Sequence, residues 1–136
     1  MAIRPPTASD VDRIRDLACR ASCAPIMDWP ALVEDGDLRV LTQDSDLVGI
    51  LVLADRPDHL LLESMIVDPA RSGQGFAKAL LAFAEHEARN RGHDAIRLRF
   101  DRSAADALLL HSLGYRETRH ASNAGDSLIH LQKIVL

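Results

Sequence analysis

Apolar and polar positions run along the chain in blocks whose period switches between helical and strand-like. From Thr7 to Ala21 the apolar residues Val11, Ile14, Leu17, Ala18 and Ala21 recur at helical spacing. Thr7 with Asp10 gives that helix a capping-box start, with Asp in the usual Glu or Gln place. Pro5 and Pro6 keep the chain before it extended, which predicts a short strand at Ile3. The segment from Ser22 to Asp37 is interrupted by Pro25 and Pro30; a short helix over Ala31 to Glu34, ended by Gly36, is expected there. Three strand-like runs follow, Leu38 to Leu41, Leu47 to Ala54 and Leu60 to Val67. Short polar gaps separate them, as in an antiparallel meander.

The second half alternates helix and strand. Phe76, Ala79, Leu80, Phe83, Ala84 and Ala88 line one face of a helix over Gly75 to Arg91, closed by Gly92. Ile96, Leu98 and Phe100 alternate with Arg97 and Arg99, the pattern of a half-buried strand. Ser103 and Asp106 cap a further helix that stops at Gly114. Tyr115 to His120 and Leu128 to Val135 finish as two strands, with a turn around Asn123-Ala124-Gly125. The order β-α-(α)-β-β-β-α-β-α-β-β combines a meander with a β-α-β crossover, which makes a mixed sheet with helices on its faces.

Composition narrows the function. The 136 residues fit one domain, residues 1–136, and 47% hydrophobic with 26% charged residues is ordinary for a soluble globular protein. The net charge of −4 and the scattered basic residues argue against a grip on nucleic acid. No apolar run approaches the ~20 residues of a membrane span, and the N-terminus lacks a signal-peptide stretch, so a cytoplasmic protein is expected. Cys19 and Cys23 share a helix face and read as two partly buried thiols in a reducing compartment. No His or Cys pair has zinc-site spacing, so no metal is expected.

The chemistry concentrates in Val67-Asp68-Pro69-Ala70-Arg71-Ser72-Gly73-Gln74-Gly75-Phe76-Ala77-Lys78. A strand ends, a glycine-rich turn follows and a long helix begins. The first amides of a helix lack intrahelical partners and the dipole favours negative charge, so the turn is an anion site by construction. Gly73 and Gly75 allow positive φ and close backbone approach, and Arg71 and Lys78 add positive charge. The Gly-Lys-Ser/Thr ending of a Walker loop is missing, and Lys78 replaces the last glycine of a dinucleotide fingerprint.

This stretch resembles motif A of the GNAT N-acetyltransferase superfamily, Val-x-Pro-x-x-(Arg/Gln)-x-x-Gly-x-(Gly/Ala). Ser72-Gly73-Gln74-Gly75-Phe76-Ala77 matches the pyrophosphate loop, with Val67 and Pro69 in register. Ile3-Arg4-Pro5, Gly114-Tyr115 and His130-Leu131-Gln132-Lys133 resemble further family landmarks, so the likeness spans nearly the whole chain. It implies a single α/β (α+β) GNAT-like domain with a mixed, mostly antiparallel sheet flanked by helices. It also implies an N-acetyltransferase that moves an acetyl group from acetyl-CoA to a primary amine. The resemblance assigns the pyrophosphate to the amides of Gly73 to Ala77, and Arg71, Ser72 and Lys78 to the same cofactor site. It assigns the pantetheine arm to the backbone of Met65, Ile66 and Val67, which requires the sheet to splay, and Ser103 to a further cofactor contact. Two positions depart from the family. Ser72 stands where Arg or Gln is usual. Leu110 stands where many members have a Tyr that protonates the leaving thiolate.

An alkyl amine of pKa ~10.4 must lose a proton before it attacks. Glu63 lies in the strand entering the loop, where several family members place a base. Alternation puts it on the face of Leu61, Met65 and Val67. Apolar neighbours would raise its pKa and suit it to act as base, directly or through water. The other reading of Glu63 is a strand residue paired with an Arg or facing solvent. The resemblance implies an acceptor site under the Ser22 to Asp37 segment, with Asp28 and Trp29 as contacts and Glu34, Asp35 and Asp37 as an acidic rim drawing a cationic amine; the other reading of the segment is a solvated loop with one anchoring Trp. A second subunit could complete this short segment. The competing reading is a non-catalytic acyl-CoA-binding sensor of the same fold, favoured by Ser72 and Leu110.

Overall fold

The computed structural model describes residues 2–21, 28–71, 73–101, 112–117 and 128–135. The chain opens with strand β1 (Ala2–Arg4), a 3-10 turn (Ala8–Asp10), helix α1 (Val11–Ala21) and helix α2 (Trp29–Asp35). The meander β2 (Asp37–Gln43), β3 (Asp46–Asp55) and β4 (Leu60–Val67) follows, then a second 3-10 turn (Pro69–Arg71) and helix α3 (Phe76–Asn90). Strands β5 (Ala95–Asp101), β6 (Arg116–Glu117) and β7 (Leu128–Ile134) complete one seven-stranded sheet ordered β1-β2-β3-β4-β5-β7-β6. All pairings are antiparallel except β4 with β5. The mixed, mostly antiparallel sheet matches the expectation. The helix expected after Ser103 and the turn at Asn123-Ala124-Gly125 lie mostly or wholly outside the described residues.

Two apolar layers sandwich the sheet. On one side α3 packs Phe76, Leu80, Leu81, Ala84 and Ala88 against Leu51, Leu60, Leu62, Ile96, Leu98 and Leu131. On the other, α1 and α2 pack Ile14, Leu17 and Trp29 against Val40, Ile50, Val52 and Ile66. β3 is buried on both faces from Leu47 to Leu53, which explains its continuous apolar run.

Several expectations shift. α2 starts earlier than Ala31: the Ala31 N–H donates to Asp28 Oδ1 at 3.2 Å, and Pro30 falls in the first turn, where its missing N–H costs nothing. Cys19 is an exposed free thiol, not a partly buried one, because it lies off the α1 stripe of Ile14, Leu17 and Ala18; Cys23 is outside the described residues. His93 is mostly covered, its Nε2 lying 3.0 Å from Asp55, whereas His86 is exposed. Tyr115 is fully buried, its hydroxyl 3.4 Å from Glu85, which also pairs with Lys133 at 2.6 Å. Burial, then the Glu85 carboxylate, pushes the Tyr115 pKa up, so this phenol keeps its proton and belongs to the core.

Candidate active site

Two features of β4 define the site. The first is a bulge. Val52 pairs with Ser64 and Leu53 with Leu62, so Glu63 is the extra residue in β4. The bulge reverses the side-chain alternation. Leu60 and Leu62 face α3 before it, and Met65 and Val67 pack on that side after it. Leu61 is therefore on the opposite face from Met65 and Val67, and the shared face expected from strict alternation is broken at Glu63 itself.

The second feature is a splay. β4 pairs with β5 only through Leu60–Ile96, Leu61–Arg97 and Leu62–Leu98. β5 continues with β7 as far as Asp101–Leu128, and β4 continues with β3 as far as Val67–Gly49. From Glu63 to Val67 no described strand meets β4 on its β5 side. The side chains of Met65 and Val67 pack toward α3 and that of Ile66 is buried toward α1. What these three residues can offer a ligand is backbone N–H and C=O.

That open edge runs into the glycine turn. Asp68 fixes the bend. Its N–H donates to the Val48 carbonyl at 2.9 Å, and its carboxylate accepts from the Ala70 N–H and the Arg20 guanidinium, each at 3.0 Å. Burial opposes the charge on Asp68, but these donors outweigh it and hold the carboxyl below its ordinary pKa. Gly73 and Gly75 adopt φ of +82° and +83°, and a Cβ at either would meet nothing within 4 Å. The space in front of both glycines is open. Gly75 precedes α3 with no side-chain cap, so the leading amides of the helix face this space. The Phe76 side chain is buried in the core and anchors the first turn, leaving its amide for a ligand. Ala77 is half-buried; Gln74 and Lys78 are exposed, and Lys78 forms no ion pair with a described residue.

Arg71 behaves otherwise than its sequence position suggests. It donates to Asp46 Oδ2 at 2.7 Å and to Gln43 Oε1 at 3.4 Å, and its Nε lies 3.8 Å from Asp68. It ties the loop to the β2–β3 turn and is not free to replace the missing charge at position 72. Behind the loop a polar cavity of about 270 Å³ holds Arg13, Arg20 and Arg71 together with Asp16, Asp46 and Asp68. Ser72 and Ser103, and Leu110 in the Tyr place, lie outside the described residues.

Glu63 sits at the apex of the splay, half-buried, with Arg56 of the β3–β4 hairpin 3.7 Å from its Oε1. Of the two readings of Glu63, the one that pairs it with an Arg is what the structure shows, and the partner is Arg56. Trp29 corrects the expected acceptor contacts: it is 5% exposed within the α1–α2 core and presents almost no surface to a substrate. Asp28 is exposed but caps α2. Asp37 is bound by Arg91 and Arg39, so it does not form a free acidic rim. Glu34 is exposed. Among the described residues no cluster of His, Cys, Asp and Glu is placed to hold a metal, and no helix is long and apolar enough to cross a membrane.

The open edge of β4 thus leads through the glycine turn to the uncapped start of α3. Residues 11–115 match the acetyltransferase (GNAT) family, and the chain belongs to that family of acetyl-CoA-dependent N-acetyltransferases. No curated protein matches the sequence. Solved structures share the fold. The ribosomal-protein-alanine N-acetyltransferase of Escherichia coli is 24% identical, with a TM-score of 0.79 over 98% of this chain and 93% of that one. The PaiA N-acetyltransferase of Thermoplasma acidophilum, in complex with coenzyme A, is 15% identical, with a TM-score of 0.77 over 98% of each chain. The aminoglycoside 6'-N-acetyltransferase of Enterococcus faecium is 16% identical, with a TM-score of 0.81 over 100% of this chain and 98% of that one.

Proposed function

We propose that the protein acetylates a primary amine by direct attack, with Glu63 as the base. The observation that carries this reading is the continuity of the open β4 edge, from Glu63 to Val67, with the free amides at the start of α3. A long ligand with a phosphate head and an amide-bearing arm fits both halves at once. The backbone from Gly73 to Lys78 would hold the pyrophosphate through N–H groups and the helix dipole. The edge at Met65, Ile66 and Val67 would pair with the pantetheine amides as an added strand. When bound, acetyl-CoA supplies an activated acyl carbon and a thiol leaving group of pKa ~8.5.

The protein's part is to remove one proton and exclude others. Glu63 at the apex accepts the ammonium proton, directly or through one water, so that the amine attacks as a neutral nucleophile. Backbone N–H near Val67 would stabilise the developing oxyanion. The thiolate leaves readily at neutral pH, so water can protonate it and Leu110 in the Tyr place does not block turnover. No covalent enzyme intermediate is needed.

A second reading, acyl-CoA binding without transfer, is favoured by the Arg56–Glu63 pair, which holds the carboxylate in an ion pair. Thiol release from acetyl-CoA over a panel of small amines and peptides separates the two. Transfer predicts turnover with at least one amine, and a loss on the order of 100-fold at neutral pH in Glu63→Gln with unchanged acetyl-CoA affinity. Equal rates in the two proteins would remove Glu63 as base. Binding without turnover across the panel would favour the sensor.

A further inference from the structure

Beyond the splay, no helix among the described residues covers one face of the sheet. The α3 layer takes Ile96, Leu98 and Leu131, so alternation turns Arg97, Gln132 and Arg116 to the other face. The contact between Arg97 Nε and Gln132 Oε1, 2.6 Å, confirms that these two share a side. On that face the sheet residues of the α1–α2 layer belong to β2, β3 and β4 only. Among the described residues no helix covers β5, β7 and β6 there.

The uncovered face is basic in an acidic protein. Arg97 is half-buried and bonded to a neutral amide. Arg116 is exposed and pairs with no described carboxylate. Arg56 stands at the adjoining hairpin with its side chain 47% exposed. Among the described residues, Asp58 and Glu63 are the carboxylates that these arginines meet. Asp58 is held below its ordinary pKa first by the hydrogen bond from His59, with Arg97 contributing at longer range. A net charge of −4 would repel an acidic molecule in general, and a local basic face reverses that field where it matters.

The geometry also sets the size of the partner. Arg97 and Arg116 lie on strands two spacings apart, about 9.5 Å. At ~3.3–3.6 Å per residue, an extended ligand must run for about three residues to meet both. Arg97 lies one pair before the apex at Leu62–Leu98, which Glu63 immediately follows. A chain whose amine reaches Glu63 would lay its next residues along this stripe.

We propose that the acceptor is the amine end of an acidic peptide segment, read by the Arg97–Gln132–Arg116 face. This rests on the transfer reading for the amine's destination, though the surface can be tested without turnover. The probes are tetrapeptides with a free N-terminal amine followed by three Asp, three Ser or three Lys, labelled at the C-terminus. Their binding to the intact protein with CoA present is followed by fluorescence anisotropy, and thiol release is measured in parallel with acetyl-CoA. The Asp peptide should bind at least tenfold more tightly than the Ser peptide, and added salt should weaken it. Arg116→Glu should weaken it about tenfold and Arg116→Gln in the same direction, whereas Arg15→Glu on α1 should leave it unchanged. Equal or tighter binding of the Ser or Lys peptide overturns the proposal, as does Asp-peptide binding insensitive to both Arg116 variants. Tighter binding of a short single-stranded RNA at the same residues overturns it in favour of nucleic acid. Charge-selective binding without thiol release leaves the surface standing and removes the transfer reading; release with no charge preference does the reverse.

Discussion

At the scale of single residues, the site is defined as much by missing side chains as by present ones. Gly75 combines φ of +83° with open space in front of it. Gly75→Ala should cost ~1–2 kcal/mol of stability through the left-handed backbone, read by urea unfolding. It should still bind acetyl-CoA within tenfold. Gly75→Glu adds a carboxylate where the phosphates would sit and should lose binding altogether by calorimetry. Equal affinities in the two variants would dismiss the loop as the phosphate site. The glycines were legible in the sequence because only one residue type suits their backbone. Arg71 was not. A charge next to a phosphate loop looks like a ligand contact, and nothing in the local spacing shows that Asp46, twenty-five residues earlier, claims it. Glu63 shows the same limit. Its place in β4 is readable, but the bulge depends on how β3 pairs, and that register is not a property of the β4 residues alone.

At the scale of elements, caps and clasps decide where helices begin. Asp10 is 1% exposed and accepts from the Thr7 N–H at 2.8 Å and from both Arg4 terminal nitrogens at 2.8 and 3.1 Å. One carboxylate therefore starts α1 and ties β1 to it. Asp10→Ala should destabilise the fold by about 2 kcal/mol, measured from urea midpoints, since it strands buried donors. The Thr7–Asp10 pattern was visible in the sequence; the Arg4 contribution was not, because it comes from β1, six residues before Asp10 and across Pro5 and Pro6. β2 extends to Asp37–Gln43, beyond the Leu38 to Leu41 apolar core that marked it. Its ends are polar and are held by hydrogen bonds to β3 and, at Asp37, by Arg91 across the base of the molecule. Trp29 belongs to the same lesson. A lone aromatic between Asp28 and Pro30 suggested a substrate surface, but a short helix turns it inward against Ile14 and Leu17.

At the scale of the whole molecule, buried and paired carboxylates set the response to acid. Arg4, followed by Thr7, holds the Asp10 carboxyl below its ordinary range, and the hydrogen bond from His93 with the Arg91 charge does the same for Asp55. Asp68 is depressed by Ala70, Arg20 and Arg71 against the cost of burial. Groups with depressed folded pKa values stabilise the fold above their unfolded value of ~3.9 and lose that contribution as pH falls through the folded value. Urea midpoints should therefore stay nearly level in this contribution from pH 7 to about 5 and drop below about pH 4. The drop should be shallower in Asp10→Asn, and an equal drop in that variant would dismiss Asp10 as a main contributor.

The sheet is one surface in projection, yet only three rungs, Leu60–Ile96 to Leu62–Leu98, join its β4 and β5 leaves. α3 spans the seam, packing on both leaves, and acts as the spine of a half-open book. A ligand laid along the gutter would complete the hydrogen bonding of the page edges. Amide protons of Ser64 to Val67 on that edge should then exchange with solvent more slowly in the presence of CoA, while those of Leu60 to Leu62 change little. On this view cosubstrate binding and local rigidity are one event, and every product release reopens the book.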